Sequence, residues 1–269
     1  MKNKVVVISG ASGGIGKALA LQFASAGANI SICGRNETAL ESTAEEIRKS
    51  GVEVLITVAD VGLKEDCERF IQATVNKWGS IDVLINNAGM SMRARLQDLE
   101  IQVIEQLMQV NFMGTVYCTK FALPYLLKSK GSIVGISSIA GYRGLPARTG
   151  YSASKFAMNG FLESLRTELL ESGVHVLTAS PGFTTSNIRN TALSADGTPQ
   201  GESPLNEAKI MSAEKVAKLI FEAVQKRKRE LIISTQGKMT VFLNKWFPGF
   251  MDKMVFNHFA KETDSPLKN

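Results

Sequence analysis

Tyr151-Ser152-Ala153-Ser154-Lys155 sets a phenol and an ammonium four positions apart, and on a helix that spacing puts both on one face. A phenol with its ordinary pKa of about 10 is a poor base at neutral pH, but an adjacent cation favours the phenolate and draws the value toward the working range. The pair is a candidate acid–base unit. On its own the spacing also describes an ordinary surface pair, so its companions decide. Ser137-Ser138 ends an apolar run, Asn111 lies inside a long helical pattern, and Pro181-Gly182 ends a further apolar run. Metal and His-based triad chemistry find no such support: the chain has only two histidines, His175 and His258, and three widely spaced cysteines, Cys33, Cys67 and Cys118.

A second constellation lies near the start. Ser9-Gly10-Ala11-Ser12-Gly13-Gly14-Ile15-Gly16 follows the first apolar run and opens a helical pattern. Glycines there permit a tight turn and let the N–H groups of a helix start approach a pyrophosphate. The spacing is legible as Gly-x-x-x-Gly-x-Gly through Gly10, Gly14 and Gly16, and equally, through Gly13, as Gly-x-x-Gly-x-x-Gly. Such a turn also serves strand-to-helix geometry alone. The second run ends in Cys33-Gly34-Arg35-Asn36. NAD-selecting sites of this kind use an acidic side chain on the ribose hydroxyls, whereas a 2′-phosphate needs that carboxylate absent and a guanidinium present. Gly34 and Arg35 therefore predict NADP(H) as the preferred cofactor; the alternative is that Arg35 is a solvated loop residue. Asp60-Val61, after the third run, places a carboxylate for an adenine amino group or for a helix cap. Asn86-Asn87-Ala88-Gly89 ends the fourth run in amides and small residues that can line a cofactor.

The elements that must position these residues alternate. Apolar, β-branched runs at Lys4–Ser9, Asn29–Cys33, Val52–Thr57, Ile81–Asn86, Ser132–Ser137, His175–Ser180 and Leu231–Ile233 read as strands. Helical patterns lie between them at Ile15–Ala26, Glu37–Ser50, Lys64–Trp78, Leu99–Lys128 with a break near Gly114, Tyr151–Glu171 and Ala213–Lys226. This rhythm predicts an α/β, doubly wound (Rossmann-type) parallel sheet of about seven strands with helices on both faces, its ligand site at the carboxyl ends of the strands. Residues 1–237 read as one nucleotide-binding and catalytic domain. Within it, 182–210 reads as a long loop able to close over a substrate. Residues 238–269 read as an amphipathic helical extension, interrupted at Pro248-Gly249. Its stripe of Phe242, Leu243, Trp246, Phe247, Phe250, Met251, Met254, Val255 and Phe259 leaves three assignments open: a cover on the core or pocket, a subunit interface, or peripheral membrane contact through 238–261, where Lys238, Lys245, Lys253 and Lys261 meet an anionic surface.

With 269 residues and 44% hydrophobic content, the chain can fill one core. Its net charge of +6 suits a protein that binds a polyanionic cofactor. The compact basic run, Lys226-Arg227-Lys228-Arg229, reads as a solvated helix terminus rather than a nucleic-acid patch. The apolar run Val5 to Ile8 is too short for a signal or membrane segment, and with the cysteine usage this predicts a cytoplasmic protein.

Jointly and in this order, the glycine-rich turn, Asp60, Asn86-Asn87-Ala88-Gly89, Asn111, Ile136-Ser137-Ser138-Ile139-Ala140-Gly141, Tyr151-x-x-x-Lys155 and Pro181-Gly182 resemble the short-chain dehydrogenase/reductase family over about two thirds of the chain. The resemblance implies hydride transfer between nicotinamide and a carbonyl or secondary alcohol. It makes Tyr151 the general acid in reduction and Ser138 the hydrogen-bonding partner of the substrate oxygen. Lys155 binds the nicotinamide ribose and lowers the Tyr151 pKa, while Asn111 holds a water that relays protons to Lys155. Ser137 is the rival of Ser138, since neighbouring strand residues face opposite ways; family spacing favours Ser138. Gly10, Ser12, Gly14, Ile15, Gly16, Arg35, Asp60, Val61, Asn87, Ala88, Gly89, Pro181, Gly182 and Thr184 become cofactor contacts, Thr185 being the rival of Thr184. Family members with a Gly-Arg pair can also accept NAD(H). Ser9 departs from the more usual Thr and keeps the hydroxyl. The pocket is expected around Met90–Leu96, Ile139–Thr149 and 182–210, with Met90, Leu145 and Phe183 favouring an apolar ketone, a steroid-like ring or an acyl thioester. Rival readings are a non-catalytic nucleotide-binding scaffold or redox sensor, which needs no complete catalytic set, and an epimerase, which resembles a longer chain. The family's habit implies a homodimer or homotetramer through Leu99–Lys128 and Phe156–Leu169.

Overall fold

The computed structural model describes residues 1–201 and 210–268. Seven strands form one parallel sheet: β1 (Val5–Ser9), β2 (Asn29–Gly34), β3 (Val54–Val58), β4 (Val83–Asn86), β5 (Ser132–Ile136), β6 (His175–Ser180) and β7 (Glu230–Ile232), in the order β3-β2-β1-β4-β5-β6-β7. The order reverses between β1 and β4, where Val6 pairs with Val83 and Ile8 with Ile85. The crevice for a ligand therefore opens beside the carboxyl ends of these two strands.

The strands are apolar throughout because both faces are covered. Along β1, Val6 and Ile8 enter one core with Leu19, Phe23, Leu40 and Ile220, and Val7 enters the other with Phe70, Leu126 and Leu162, as the two-residue period of a strand requires. The first core is closed by α1 (Gly14–Ser25), α2 (Glu37–Arg48) and α7 (Ala213–Gln225), with Phe23 and Phe221 edge to face at 5.0 Å. The second is closed by α3 (Lys64–Trp78), α5 (Gly114–Ser129) and α6 (Thr149–Glu168).

The helix expected over Leu99–Lys128 is three pieces: α4 (Ile101–Leu107), a π turn over Met108–Met113, and α5, which starts at Gly114. The inserted turn carries Asn111, fully buried. The C-terminal stripe is two helices, α8 (Thr235–Trp246) and α9 (Pro248–Ala260), with Pro248 supplying the first turn of the second. Of the connection anticipated at 182–210, residues 202–209 lie outside the described residues; the rest crosses the carboxyl end of the sheet, bridging Thr184 to Met211 and Leu193 to Met92. Among the described residues no helix is long and apolar enough to cross a membrane. His175 is structural: its ring nitrogens meet Ser132 Oγ and the Lys228 carbonyl. The basic run closes α7, Arg227 donating to the Gly173 carbonyl.

Candidate active site

The carboxyl ends of the strands open into a cleft of about 950 Å³. Its β1 end is tied to β4 by Ser9, whose hydroxyl accepts from Asn87 N and Ala88 N, each at 3.1 Å. Asn87 Nδ2 returns the tie by donating to the carbonyls of Ser9 and Gly10. The two glycine spacings now separate. Gly10 has φ 68° and a Cβ there would lie 2.6 Å from Ala88 Cα; at Gly16 a Cβ would strike the Gly10 carbonyl; Gly13 is extended and faces open space. The required positions are thus Gly10, Gly14 and Gly16, with α1 beginning at Gly14 and its first N–H groups free of any side-chain cap. Of the candidate cofactor contacts, Gly16 alone sits behind the cleft wall; the others line it.

Arg35 is exposed with Nη1 3.8 Å from Asp60 Oδ2, and it lines the cleft with Ser12 and Gly34. Asp60 caps no helix, since α3 follows Leu63 without a side-chain cap; its Oδ1 instead closes a turn by accepting from Gly62 N at 2.9 Å, and its Oδ2 lies beside Arg35 in the cleft lining. On the opposite lip Thr184 is buried and lines the cleft, its hydroxyl donating to the Gly182 carbonyl. Thr185 points outward and does not line it.

Three elements bring the acid–base residues together. Tyr151 and Lys155 share one face of α6, Lys155 Nζ lying 5.9 Å from the phenol ring centre. Ser138, following β5, hydrogen-bonds toward the phenol and accepts from Ala140 N at 3.1 Å. Ser137 turns inward, buried with its hydroxyl unpartnered, so Ser138 is the serine that meets Tyr151. Asn111 pins the β4 end: Oδ1 accepts from Met90 N, and Nδ2 donates to the Met90 carbonyl and Ser154 Oγ. It does not line the cleft, but a Cβ on Gly89 would lie 3.2 Å from Asn111 Oδ1 and 3.5 Å from Lys155 Nζ, so the two groups flank one point.

The electrostatics correct one expectation. Tyr151 is raised, not lowered, from its ordinary value, because burial outweighs the hydrogen bond from Ser138 and the charge of Arg148. Lys155 is 3% exposed, donates to the Ile136 carbonyl at 2.9 Å, and is pulled down to about 8 by burial. Among the described residues no carboxylate pairs with it, so an ammonium is held in a low-dielectric wall without a counter-ion. Such groups concentrate at functional sites.

The C-terminal stripe forms one wall of the cleft, in line with one of the three assignments its pattern left open. Met254, Val255, His258 and Phe259 of α9 line the cleft together with Met90, Leu145 and Phe183, the cluster of Val255 and Phe259 packing on Leu145 and His258 stacking on Phe183. Arg148, one turn ahead of Tyr151, lines it as well. Arg148 falls within the pocket segment expected at Ile139–Thr149, and Met254, Val255 and Phe259 within the amphipathic stripe; His258 is the α9 residue that no pattern singled out. No cluster among the described residues could hold a metal.

The family model described as short chain dehydrogenase matches residues 4–196. Dehydrogenase/reductase SDR family member 7B of Mus musculus is 36% identical over 275 residues, covering 98% of this chain and 84% of its own length. The 11-beta-hydroxysteroid dehydrogenase-like 4A of Arabidopsis thaliana is 39% identical over 198 residues, covering 73% of this chain and 66% of its own. A short chain dehydrogenase/reductase from Burkholderia phymatum in complex with NAD has a TM-score of 0.81 at 26% identity, covering 93% of this chain and 95% of that one. An alcohol dehydrogenase from Thermococcus sibiricus, complexed with 5-hydroxy-NADP, has a TM-score of 0.75 at 25% identity, covering 86% and 94%. The sheet order, the extent of the family match and relatives aligned over nearly the whole chain place this protein in the short-chain dehydrogenase/reductase family, as an oxidoreductase.

Proposed function

We propose that this protein is an NADP(H)-preferring enzyme that reduces a carbonyl, or oxidises the matching secondary alcohol, of an apolar substrate. The observation that carries the reading is Ser138, Tyr151 and an unpaired, buried Lys155 converging on one cleft with a glycine cradle at its other end. The residues fit a nicotinamide dinucleotide. Gly10, Ser12, Gly14, Ile15 and Gly16 form the pyrophosphate cradle, Arg35 takes the 2′-phosphate, Asp60 and Val61 the adenine, and Asn87, Ala88 and Gly89 the cofactor's flank. Pro181, Gly182 and Thr184 face the carboxamide, and Tyr151 and Lys155 the nicotinamide ribose. The bound cofactor supplies the hydride. Tyr151, protonated at neutral pH, gives its proton to the substrate oxygen, which Ser138 also holds. Lys155 restores the proton through a relay at Asn111.

An NADPH-oxidation screen against ketones, aldehydes and acyl thioesters, with Tyr151→Phe as the blank, tests this. Turnover that the blank retains would sink it. Cofactor choice has its own test. Arg35→Ala is expected to raise KM for NADPH about 10- to 100-fold, from loss of a charge-assisted contact of roughly 1.5–3 kcal/mol, and to leave KM for NADH nearly unchanged. Equal effects on both cofactors would make Arg35 a bystander.

We assign residues 1–237 to the nucleotide-binding and catalytic domain and 238–269 to its cover. The inner face of the cover buries Met251, Val255 and Phe259 with its own Leu243 against Leu145 of the domain, which favours the cover among the three assignments. Its outer face exposes Met239, Phe242, Trp246, Phe247, Phe250 and Phe256. Lys238, Lys245, Lys253 and Lys261 are exposed around it, and the one acid within 238–261, Asp252, is paired with Arg143 at 2.7 Å. This pattern supports peripheral contact with an anionic membrane. Co-sedimentation with phosphatidylserine vesicles at low salt is the expected result, with binding weakened at least about tenfold in Trp246→Ser/Phe250→Ser. Equal recovery with and without vesicles would refute it. Phe156 and Leu127 are exposed on the α5 and α6 side, supporting a homodimer or homotetramer there. Three buried free thiols suit a reducing, cytoplasmic setting.

A further inference from the structure

Arg148 caps the start of α6, three residues before Tyr151. Its guanidinium is held at the cleft by groups from the C-terminal segment. Nη2 donates to both carboxylate oxygens of Glu262, each at 2.9 Å, and the guanidinium lies 4.5 Å from the Phe259 ring centre. Glu262, with a side chain 4% exposed, is shared with Arg93, whose Nε lies 3.3 Å away and whose Nη2 donates to the Thr263 carbonyl. Two buried guanidiniums thus face one carboxylate, which leaves one positive charge uncompensated near the phenol. Burying such an imbalance is costly unless something uses it.

We propose that Arg148 and Glu262 form a positioning couple through which the docked C-terminal segment sets the charge felt by Tyr151. The proposal rests on the assignment of Tyr151 as the proton-transfer group. Arg148 is the charge that acts on that phenol; Lys155 lies 5.9 Å from its ring centre on the same helix, Glu262 and Arg93 act on Arg148, and His258 and Arg189 line the same cleft. Arg148 favours the phenolate, as its charge lowers the Tyr151 pKa against the effect of burial. Glu262 offsets Arg148, so the two members act in opposite senses. A merely structural bridge would instead respond in the same sense when either partner is lost.

The test reads Tyr151 directly. Tyrosinate absorbance is titrated for each variant and for the same variant carrying Tyr151→Phe, over the pH range in which circular dichroism shows the proteins folded. The difference isolates Tyr151. Arg148→Gln is expected to ionise at higher pH than the wild type and Glu262→Gln at lower pH, each by roughly half to one pH unit, a three- to tenfold change in proton affinity. Arg148→Lys, which keeps the charge, is expected to track the wild type, and it carries the test if Arg148→Gln does not fold. Any other order of the curves, coincidence included, overturns the couple. Because no substrate is involved, this failure is distinct from failure of the catalytic assignment, which shows instead as turnover surviving in Tyr151→Phe.

Discussion

Tyr151→Phe is expected to lower kcat for carbonyl reduction by about 10³-fold, since it removes both a general acid and one of two donors to the developing oxyanion. The substitution is clean because the ring packs against the cluster containing Met90, Met92 and Val103. Phenylalanine fills that space, so the melting temperature should stay within a few degrees, and KM for NADPH should rise no more than about tenfold, from loss of the hydroxyl's contact to the ribose. The pH dependence follows from the direction of the shift. With the phenol raised above its ordinary value, the protonated acid dominates through neutrality, so reduction should be flat there and fall only in the alkaline range. Alcohol oxidation, which needs the phenolate as base, should climb over that same range. Reduction that falls between pH 6 and about 8 would point to another acid.

Lys155→Met should abolish most activity, by about 10²- to 10³-fold, and yet stabilise the protein. A lysine whose pKa drops from 10.5 to about 8 on folding destabilises the folded state by about 3 kcal/mol wherever it is charged in both states. Loss of the bond to the Ile136 carbonyl returns about 1 kcal/mol. The net gain of about 2 kcal/mol corresponds to roughly 5 °C in melting temperature. The sign has a pH window. Below about 8 the wild type carries the full penalty, and as pH rises toward 10.5 the unfolded-state advantage disappears, so the variant's lead should shrink across that interval. Thermal melts at pH 7 and pH 10 check this; a variant less stable at pH 7 would show that the ammonium is not strained by its burial.

Strands and turns were legible because their causes are local. Val5–Ser9 is apolar on both faces wherever it is read, and Gly10 is demanded by the backbone of its own turn. Tyr151 and Lys155 were legible because helical spacing alone makes them neighbours. What escaped depends on chain segments far apart in sequence. Nothing local near Glu262 announces that it grips Arg148, 114 residues away. The direction of the Tyr151 shift escaped for the same reason: the neighbouring cation is visible in the sequence, whereas burial of the phenol beside Met90, Met92 and Val103 is created only by folding. The π turn at Met108–Met113 leaves the apolar pattern of the surrounding helix intact, so it was read as a continuous helix with a break at Gly114 rather than as an inserted residue.

The two halves of the cleft have different origins along the chain. The glycine-rich part of the cleft is built by the first strands and their turns, whereas α8 and α9 contribute another of its walls. Exchanging that tail between homologues is therefore a route to altered selectivity that leaves redox chemistry in place. A graft of this sort must carry its own acid at position 262, or the recipient's Arg148 and Arg93 are left facing each other in a dry wall.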